Sequence, residues 1–199
     1  MVSLTARQFS SLEAIVRDGL ANASAGLSAM SGGQLRLESP VVRMIPLTEV
    51  PEVAGGPAAV VVAVYLAIGG DLRGHLVLLF TEAGARRAAD FLFGAPPGTT
   101  AELGELELSA LAEAGNVAGS HLLNVLANRT GLAIVPSAPA VVTDMAGAIL
   151  QQVVLDLLLQ ADEVLLVETA INGTVQGYFL LLPDQDSMSR LVAALEDLA

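Results

Sequence analysis

Two amphipathic segments open the two halves of the chain. Residues 5–30 carry apolar side chains at the spacing of one helical face: Phe9, Leu12, Ile15 and Val16. Gly32-Gly33 ends this predicted helix. Residues 102–130 form a second segment of this kind, which ends at Gly131. The pattern predicts two long helices, each with one face turned toward a core.

Each predicted helix is followed by an extended segment, a hairpin and a shorter helix. In the first half these are a strand at 34–44, a hairpin of 58–68 and 72–80 turning at Gly69-Gly70-Asp71, and a helix at 82–93. In the second half they are an extended segment at 140–143, a hairpin of 163–170 and 174–182 turning at Asn172-Gly173, and a helix at 187–198. Residues 46–57 are predicted as a loop. Residues 145–160 are compatible with a helix or, because of Val153-Val154 and the leucines that follow, with a strand.

The two halves also match residue by residue. Ser10 corresponds to Ser109, and Pro40 corresponds to Pro139, both at an offset of 99. At the hairpins the offset grows to 103, which aligns Gly74 with Gly177. We therefore predict an α+β fold in one domain, 1–199, built from internal repeats 1–99 and 100–199. The alternative is that two helices of similar amphipathicity align by accident.

Composition excludes several classes of function. At 199 residues and 53% hydrophobic, the chain can bury a sizeable core. Its formal net charge is −12, and all nine cations are arginines, which argues against a nucleic-acid binder that needs a basic face. The absence of lysine excludes Schiff-base chemistry and a Walker lysine. The absence of cysteine excludes disulfides and thiolate sites.

No membrane or metal site is predicted. The uncharged stretch 53–70 is interrupted by Pro57 and glycines, and its apolar part, 58–68, is too short to cross a bilayer, so a buried strand is expected. The N-terminus lacks a signal-peptide pattern, and we expect a cytoplasmic protein. His75 and His121 lie far apart, in no spacing that chelates zinc, and are interpreted as structural or surface residues.

The second long helix carries a polar trio. Ser109, Glu113 and Asn116 stand at i, i+4 and i+7, which places them on one helical face. The opposite face is apolar: Leu108, Leu111, Gly115, Ala118, Leu122 and Leu126. Pro139 follows Asn116 after twenty-two intervening residues. A rigid helix with a buried back can present a carboxylate and a carboxamide to a partner.

The set Ser109, Glu113, Asn116 and Pro139 resembles the site pattern of the CheC/CheX/FliY family of chemotaxis response-regulator phosphatases. Further similarity to CheC proteins comes from 46–52, 113–120, 130–132 and 144–149. The resemblance spans nearly the whole chain. It implies an antiparallel sheet with helices packed against it.

The resemblance also implies an activity: hydrolysis of the aspartyl phosphate on a CheY-type response regulator. It implies no cofactor in this chain, since the Mg²⁺ belongs to the receiver domain. In this hypothesis Asn116 orients the attacking water, as a glutamine does in GTPases, and Glu113 docks the receiver's lysine. Ser109 has a minor positioning role or is only solvated, and Pro139 shapes the strand entry.

The first half departs from the family pattern. Ser10 is retained, but Ala14 stands where Glu113 does, and Arg17 stands where Asn116 does. Glu13 is one residue away, which turns it about 100° around the helix. We predict one working site, in the second repeat. Arg17 is interpreted as solvated or as a contact to an acidic partner.

Two other functions compete with phosphatase activity. CheC proteins bind the receptor deamidase CheD, so the chain could act chiefly as a regulatory module, with 145–160 as the contact. The switch protein FliM shares the fold without the active-site pair, and Glu113 and Asn116 argue against that structural role.

Overall fold

A computed structural model describes residues 4–157 and 163–196. The helices are α1 (Ala6–Met30), α2 (Val50–Val53), α3 (Glu82–Leu92), α4 (Glu105–Thr130), α5 (Ala146–Leu157) and α6 (Gln185–Glu196). The strands are β1 (Leu37–Pro46), β2 (Val60–Gly70), β3 (Gly74–Thr81), β4 (Ile134–Pro136), β5 (Ala140–Met145), β6 (Glu163–Ile171) and β7 (Val175–Pro183). None of these helices is long and apolar enough to cross a membrane.

The strands of the described ranges form one antiparallel sheet. Its order is β1-β6-β7-β3-β2, and both β4 and β5 pair with the free side of β2. Within β2, β3, β6 and β7 successive side chains alternate between the two faces of the sheet, and most of them are buried on either face. Long apolar runs with little alternation in polarity are what a sheet covered on both faces requires.

Helices cover both faces of the sheet. The larger core lies under α1 and α4, where Leu20 and Leu122 pack with Val64, Leu76 and Phe179 of the sheet. The smaller core lies on the other face, where Val50 of α2 and Ile149 of α5 cover sheet side chains: Val61, Ala63, Val77, Leu79, Val164, Leu166, Leu180 and Leu182. The molecule is a three-layer α+β structure.

The long helices α1 and α4 lie side by side and antiparallel. A Cβ added at Gly19 would approach the Leu122 Cα to 3.0 Å, and one at Gly26 would approach the Val117 Cγ1 to 3.0 Å. Further along the same seam, Arg129 of α4 forms an ion pair with Asp18 of α1. Small residues at the crossing let the two backbones come close, so this pair forms a stiff platform above the sheet.

The structure confirms the predicted α+β class and corrects several elements. Residues 46–57 are not a loop, because Leu47–Glu49 form a 3₁₀ turn and α2 follows, with Pro51 in its first turn, where proline is tolerated. Gly69 and Gly70 belong to β2 and pair with β4, so the turn begins at Asp71. For the segment that was compatible with a helix or a strand, the structure shows a helix over residues 146–157. The predicted ends at 158–160 and 197–198 lie outside the described residues.

The strand register relates the two halves. Val42 pairs with Val167; adding 99 to the first number and subtracting 103 from the second gives Val141 and Val64, which also pair. Ile68 pairs with Gly74, and Ile171, 103 residues on, pairs with Val175. The register therefore aligns Gly74 with Val175, and the predicted match of Gly74 to Gly177 is wrong. Between these last paired residues, the connection from β2 to β3 is two residues longer than the connection from β6 to β7.

Candidate functional site

The helix that carries the candidate residues is fixed at both ends. At its start the Glu107 carboxylate accepts a hydrogen bond from the Gly104 N–H at 2.9 Å, which satisfies one of the unpaired donors of the first turn. At its end Gly131 adopts φ 72°, the left-handed conformation of a helix C-cap. Both features limit fraying, so side chains in the middle of α4 have defined positions.

The back of α4 rests directly on the sheet. A Cβ at Gly115 would lie 2.6 Å from the Val64 Cγ1, and one at Gly119 would lie 3.0 Å from the Leu66 Cδ1. Leu111, Ala114 and Ala118 complete the buried face. Asn116 directly follows Gly115, so the close approach at Gly115 sets the height of the Asn116 side chain above the sheet.

The three polar residues lie on the outer flank of α4, as predicted. Ser109 and Glu113 are exposed, and Asn116 is half-buried. Glu113 and Asn116 are one helical turn apart, which brings their Cβ atoms within about 6 Å. Within residues 4–157 and 163–196 neither side chain forms a hydrogen bond or an ion pair. The carboxylate and the carboxamide are both available to an external group.

Pro139 lies at a break in the edge of the sheet. It falls between β4 and β5, which both pair with β2. In this gap Ser137 keeps contact with the strand, because its N–H donates to the Ala67 carbonyl at 2.8 Å and its Oγ accepts from the Ala67 N–H at 3.0 Å. A proline is tolerated at an irregularity on an edge strand because no ladder bond is lost. Pro139 therefore lies at the edge strand, directly before β5.

The corresponding positions of the first half form no such arrangement. Ser10, Ala14 and Arg17 are exposed on α1. Arg17 donates to the Glu13 carboxylate at 2.8 Å, one helical turn back. This pair occupies the arginine within its own helix, an arrangement that the predictions for Arg17 did not include.

The histidines take no part in the candidate site. His75 lies in β3 and His121 in α4, and both are half-buried. The ring of His121 packs where a Cβ of Gly26 would stand, 2.6 Å from its Nε2, which places it in the α1–α4 seam. In the described ranges no three histidine, aspartate or glutamate side chains converge as metal ligands.

A buried aspartate fixes the connection that leads into α4, and sequence analysis missed it. Asp90 of α3 is 1% exposed and accepts hydrogen bonds from the Gly98 N–H at 2.6 Å and the Thr100 N–H at 2.8 Å. Burial raises the pKa of Asp90, but the hydrogen bonds from Thr100, Gly98 and Thr99 outweigh it and hold the pKa below the ordinary value. A lone aspartate in an apolar segment just before a Pro-Pro-Gly loop was the available clue.

Comparison with known proteins gives curated relatives and solved structures that resemble the chain. No family model matches the chain. It is 27% identical over 184 residues to the CheY-P phosphatase CheC of Bacillus subtilis, covering 89% of this chain and 88% of that protein.

The fold is shared with the solved structures of FliY and FliM. The FliY structure from Thermotoga maritima superposes with a TM-score of 0.77 at 21% identity, covering all of both chains. The FliM middle domain from H. pylori gives 0.66 at 16% identity, covering 96% of this chain and 99% of that one. Taken together, these similarities relate the chain in sequence to a CheC protein and in fold to FliY and CheC-like structures, which supports the resemblance to the CheC/CheX/FliY family.

Proposed function

We propose that the chain is a phosphatase that hydrolyses the aspartyl phosphate of a CheY-type receiver domain. The observation that carries the proposal is the outer flank of α4, where Glu113 and Asn116 stand one turn apart on a fixed helix with no partners among the described residues. Similarity to a protein named CheY-P phosphatase supports it.

Asn116 is suited to orient the water. An acyl phosphate is already activated, so catalysis needs an in-line water more than a strong base. A carboxamide can accept a hydrogen bond from that water through its oxygen and donate another to a phosphoryl oxygen through its nitrogen. Asn116 is half-buried over a stiff platform, so little conformational freedom is lost when the water is bound.

Glu113 is suited to dock the receiver. A carboxylate next to the phosphoryl group would repel it, but a carboxylate paired with the receiver's lysine would set the depth at which Asn116 enters. Ser109, one turn before Glu113, contributes positioning at most. Pro139 acts through the edge strand. The Mg²⁺ is bound by the receiver and is part of the substrate.

The test is turnover of a CheY-type receiver phosphorylated with acetyl phosphate. We expect Asn116→Ala to lower the rate by at least about 10²-fold, as removal of one positioned hydrogen-bonding group does elsewhere. Arg17→Ala, the matched change on α1, should leave the rate unchanged. If the unaltered chain and Asn116→Ala are equally inactive, the proposal fails.

The FliM-like fold favours one alternative, a binding role without turnover. Docking of the receiver with no loss of phosphate would support it. The CheD contact expected at 145–160 stays a prediction; residues 158–160 lie outside the described ranges.

A further inference from the structure

The outer flank of α4 carries an apolar side chain that the proposed chemistry does not use. Leu106, in the first turn, is 67% exposed, the largest exposure of any large hydrophobic side chain in the described ranges. Isolated exposed leucines are ordinary on protein surfaces. The position of Leu106 relative to the candidate site therefore decides whether it can contact a partner.

Leu106 lies on the same stripe of the helix as Glu113. Seven residues separate them, which is about 20° around the helix and about 10 Å along it. Ser109 lies between them. A partner that reaches Glu113 along this face would therefore pass over Leu106.

A second exposed apolar residue lies at the sheet edge. Met145, the last residue of β5, is 48% exposed and pairs with Val60, which is 45% exposed. Val60 has the same strand parity as Val62 and Val64, whose side chains lie in the core beneath α4. Cross-strand partners share a face, so the Met145 side chain points to the α4 side of the sheet.

Leu106 and Met145 stand at the same level along α4. Gly115 lies over Val64 and Gly119 over Leu66, so the helix and β2 run in the same direction. Val60 precedes Val64 by four strand residues, about 13 Å. Leu106 precedes Gly115 by nine helical residues, again about 13 Å. Leu106 therefore lies in the first turn of α4, and Met145 lies beside that turn at the edge of the sheet.

We propose that Leu106 and Met145 form a two-point apolar anchor for the phosphorylated receiver domain. This inference rests on the proposed function and names the contacts that would select its substrate. The anchor is continuous with the flank of Glu113 and Asn116. A partner seated there would bury both apolar side chains next to the polar residues.

The charges around the anchor indicate the kind of partner. Glu102, Glu105 and Asp144 are exposed near the same end of α4, and the whole chain carries a net charge of −12. A second copy of this chain would bring the same carboxylates face to face, which is unfavourable. A receiver that presents apolar side chains beside its lysine is complementary in both respects.

The test compares Leu106→Ser and Met145→Ser with Val135→Ser. Val135 is 63% exposed in β4 and pairs with Gly69, near the opposite end of α4 from Leu106, and it serves as the matched control. We expect each anchor variant to raise KM for the acetyl-phosphate-labelled receiver roughly tenfold. kcat should be unchanged, and the control should match the unaltered chain. Thermal melting checks that each variant is folded.

Two readouts separate this inference from the proposed function. Turnover by the unaltered chain with unchanged KM in both anchor variants would overturn the anchor alone. Absence of turnover by the unaltered chain would count against the phosphatase. In that case the affinity for a receiver activated with beryllofluoride decides: a tenfold loss in Leu106→Ser supports the anchor, and equal affinity overturns it.

Discussion

At the scale of single residues, Glu113 and Asn116 differ in exposure in the way their proposed roles require. Asn116 is half-buried on the flank of α4, where its amide has limited freedom, whereas Glu113 is exposed and can extend to a partner. A group that orients water benefits from restriction. A group that captures a cation at an interface benefits from reach, and its contribution depends on salt.

Glu113→Gln should impair docking more than chemistry. The substitution keeps the shape of the side chain and removes its charge, so the attraction to a lysine is lost. We expect KM for the phosphorylated receiver to rise roughly tenfold with kcat changed less than about threefold. The dependence of KM on salt between about 0.05 M and 0.5 M should weaken. A fall in kcat as large as that of Asn116→Ala, at constant KM, would instead place Glu113 in the chemical step.

Sequence alone was sufficient for these positions because helical periodicity assigns faces without knowledge of the fold. Ser109, Glu113 and Asn116 lie on the exposed side as the spacing predicted. The ion pair of Arg129 with Asp18 joins residues 111 apart in the chain. No local pattern encodes such a contact, so it became visible only with the packing of α1 on α4.

At the scale of elements, the contact of α4 with β2 is where a small change should have a large effect. A Cβ at Gly115 would lie 2.6 Å from the Val64 Cγ1 and 3.0 Å from the Val64 Cβ. Valine is stiff at χ1 and cannot turn aside. Gly115→Ala should therefore lift the helix. The strain of about 1–3 kcal/mol exceeds the gain of about 1 kcal/mol from replacing glycine within a helix.

We expect Gly115→Ala to lower kcat at least about tenfold, because Asn116 follows the lifted backbone. Turnover of the phosphorylated receiver and urea unfolding measure the two effects. Gly19→Ala is the matched control, since its Cβ would approach the Leu122 Cα to 3.0 Å in the α1–α4 seam. It should lower stability and leave kcat unchanged. Equal kcat in both variants would show that the height of α4 does not position Asn116.

The free energy of unfolding should depend on pH in the acidic range, because Asp90 holds the loop between α3 and α4. Because the pKa of Asp90 is lowered in the folded protein, its stabilisation is complete above the unfolded value of about 3.9 and is lost as pH falls through the folded value. Asp90→Ala should cost about 2 kcal/mol at pH 7, since it leaves buried N–H donors unpaired. Urea unfolding should give a smaller difference from the unaltered chain near pH 3. A difference that is constant with pH would contradict the role of the carboxylate.

The elements that sequence analysis missed have non-local causes. Gly69 and Gly70 have the composition of a turn, but they are held in β2 by pairing with Val135 and Ile134, more than sixty residues away. The three-residue strand β4 is too short to show periodicity and exists because β2 offers it a free edge. Long elements with strong periodicity, such as α1 and α4, were predicted from their local sequence pattern alone.

At the scale of the whole molecule, the sheet pairs strands of the two halves in a matching way. The edge pairings β1–β6 and β5–β2 share equivalent registers, and α1 and α4 cross beside each other above the centre of the sheet. We propose that repeats 1–99 and 100–199 arose by duplication and that only the second kept a working site. The first would then retain the scaffold of a site without its two functional side chains.

That proposal predicts that the first site can be restored. In an Asn116→Ala background, which should be inactive, Ala14→Glu with Arg17→Asn would place the same pair on the exposed flank of α1. The change also removes the Arg17–Glu13 ion pair, an exposed contact worth at most about 1 kcal/mol. We expect turnover of the phosphorylated receiver to return above the background of Asn116→Ala.

The controls assign any recovered activity. Ala14→Glu alone in the Asn116→Ala background should stay inactive, since the water-orienting amide is still missing. In the otherwise unaltered chain, the double substitution should raise the number of beryllofluoride-activated receivers bound per chain from one to two, measured by calorimetry. If stoichiometry stays at one and turnover does not return in a folded variant, the scaffold of α1 is not equivalent to that of α4. The edge strand beside α1, or the Asp18–Arg129 pair next to Arg17, would then differ in a way that blocks docking.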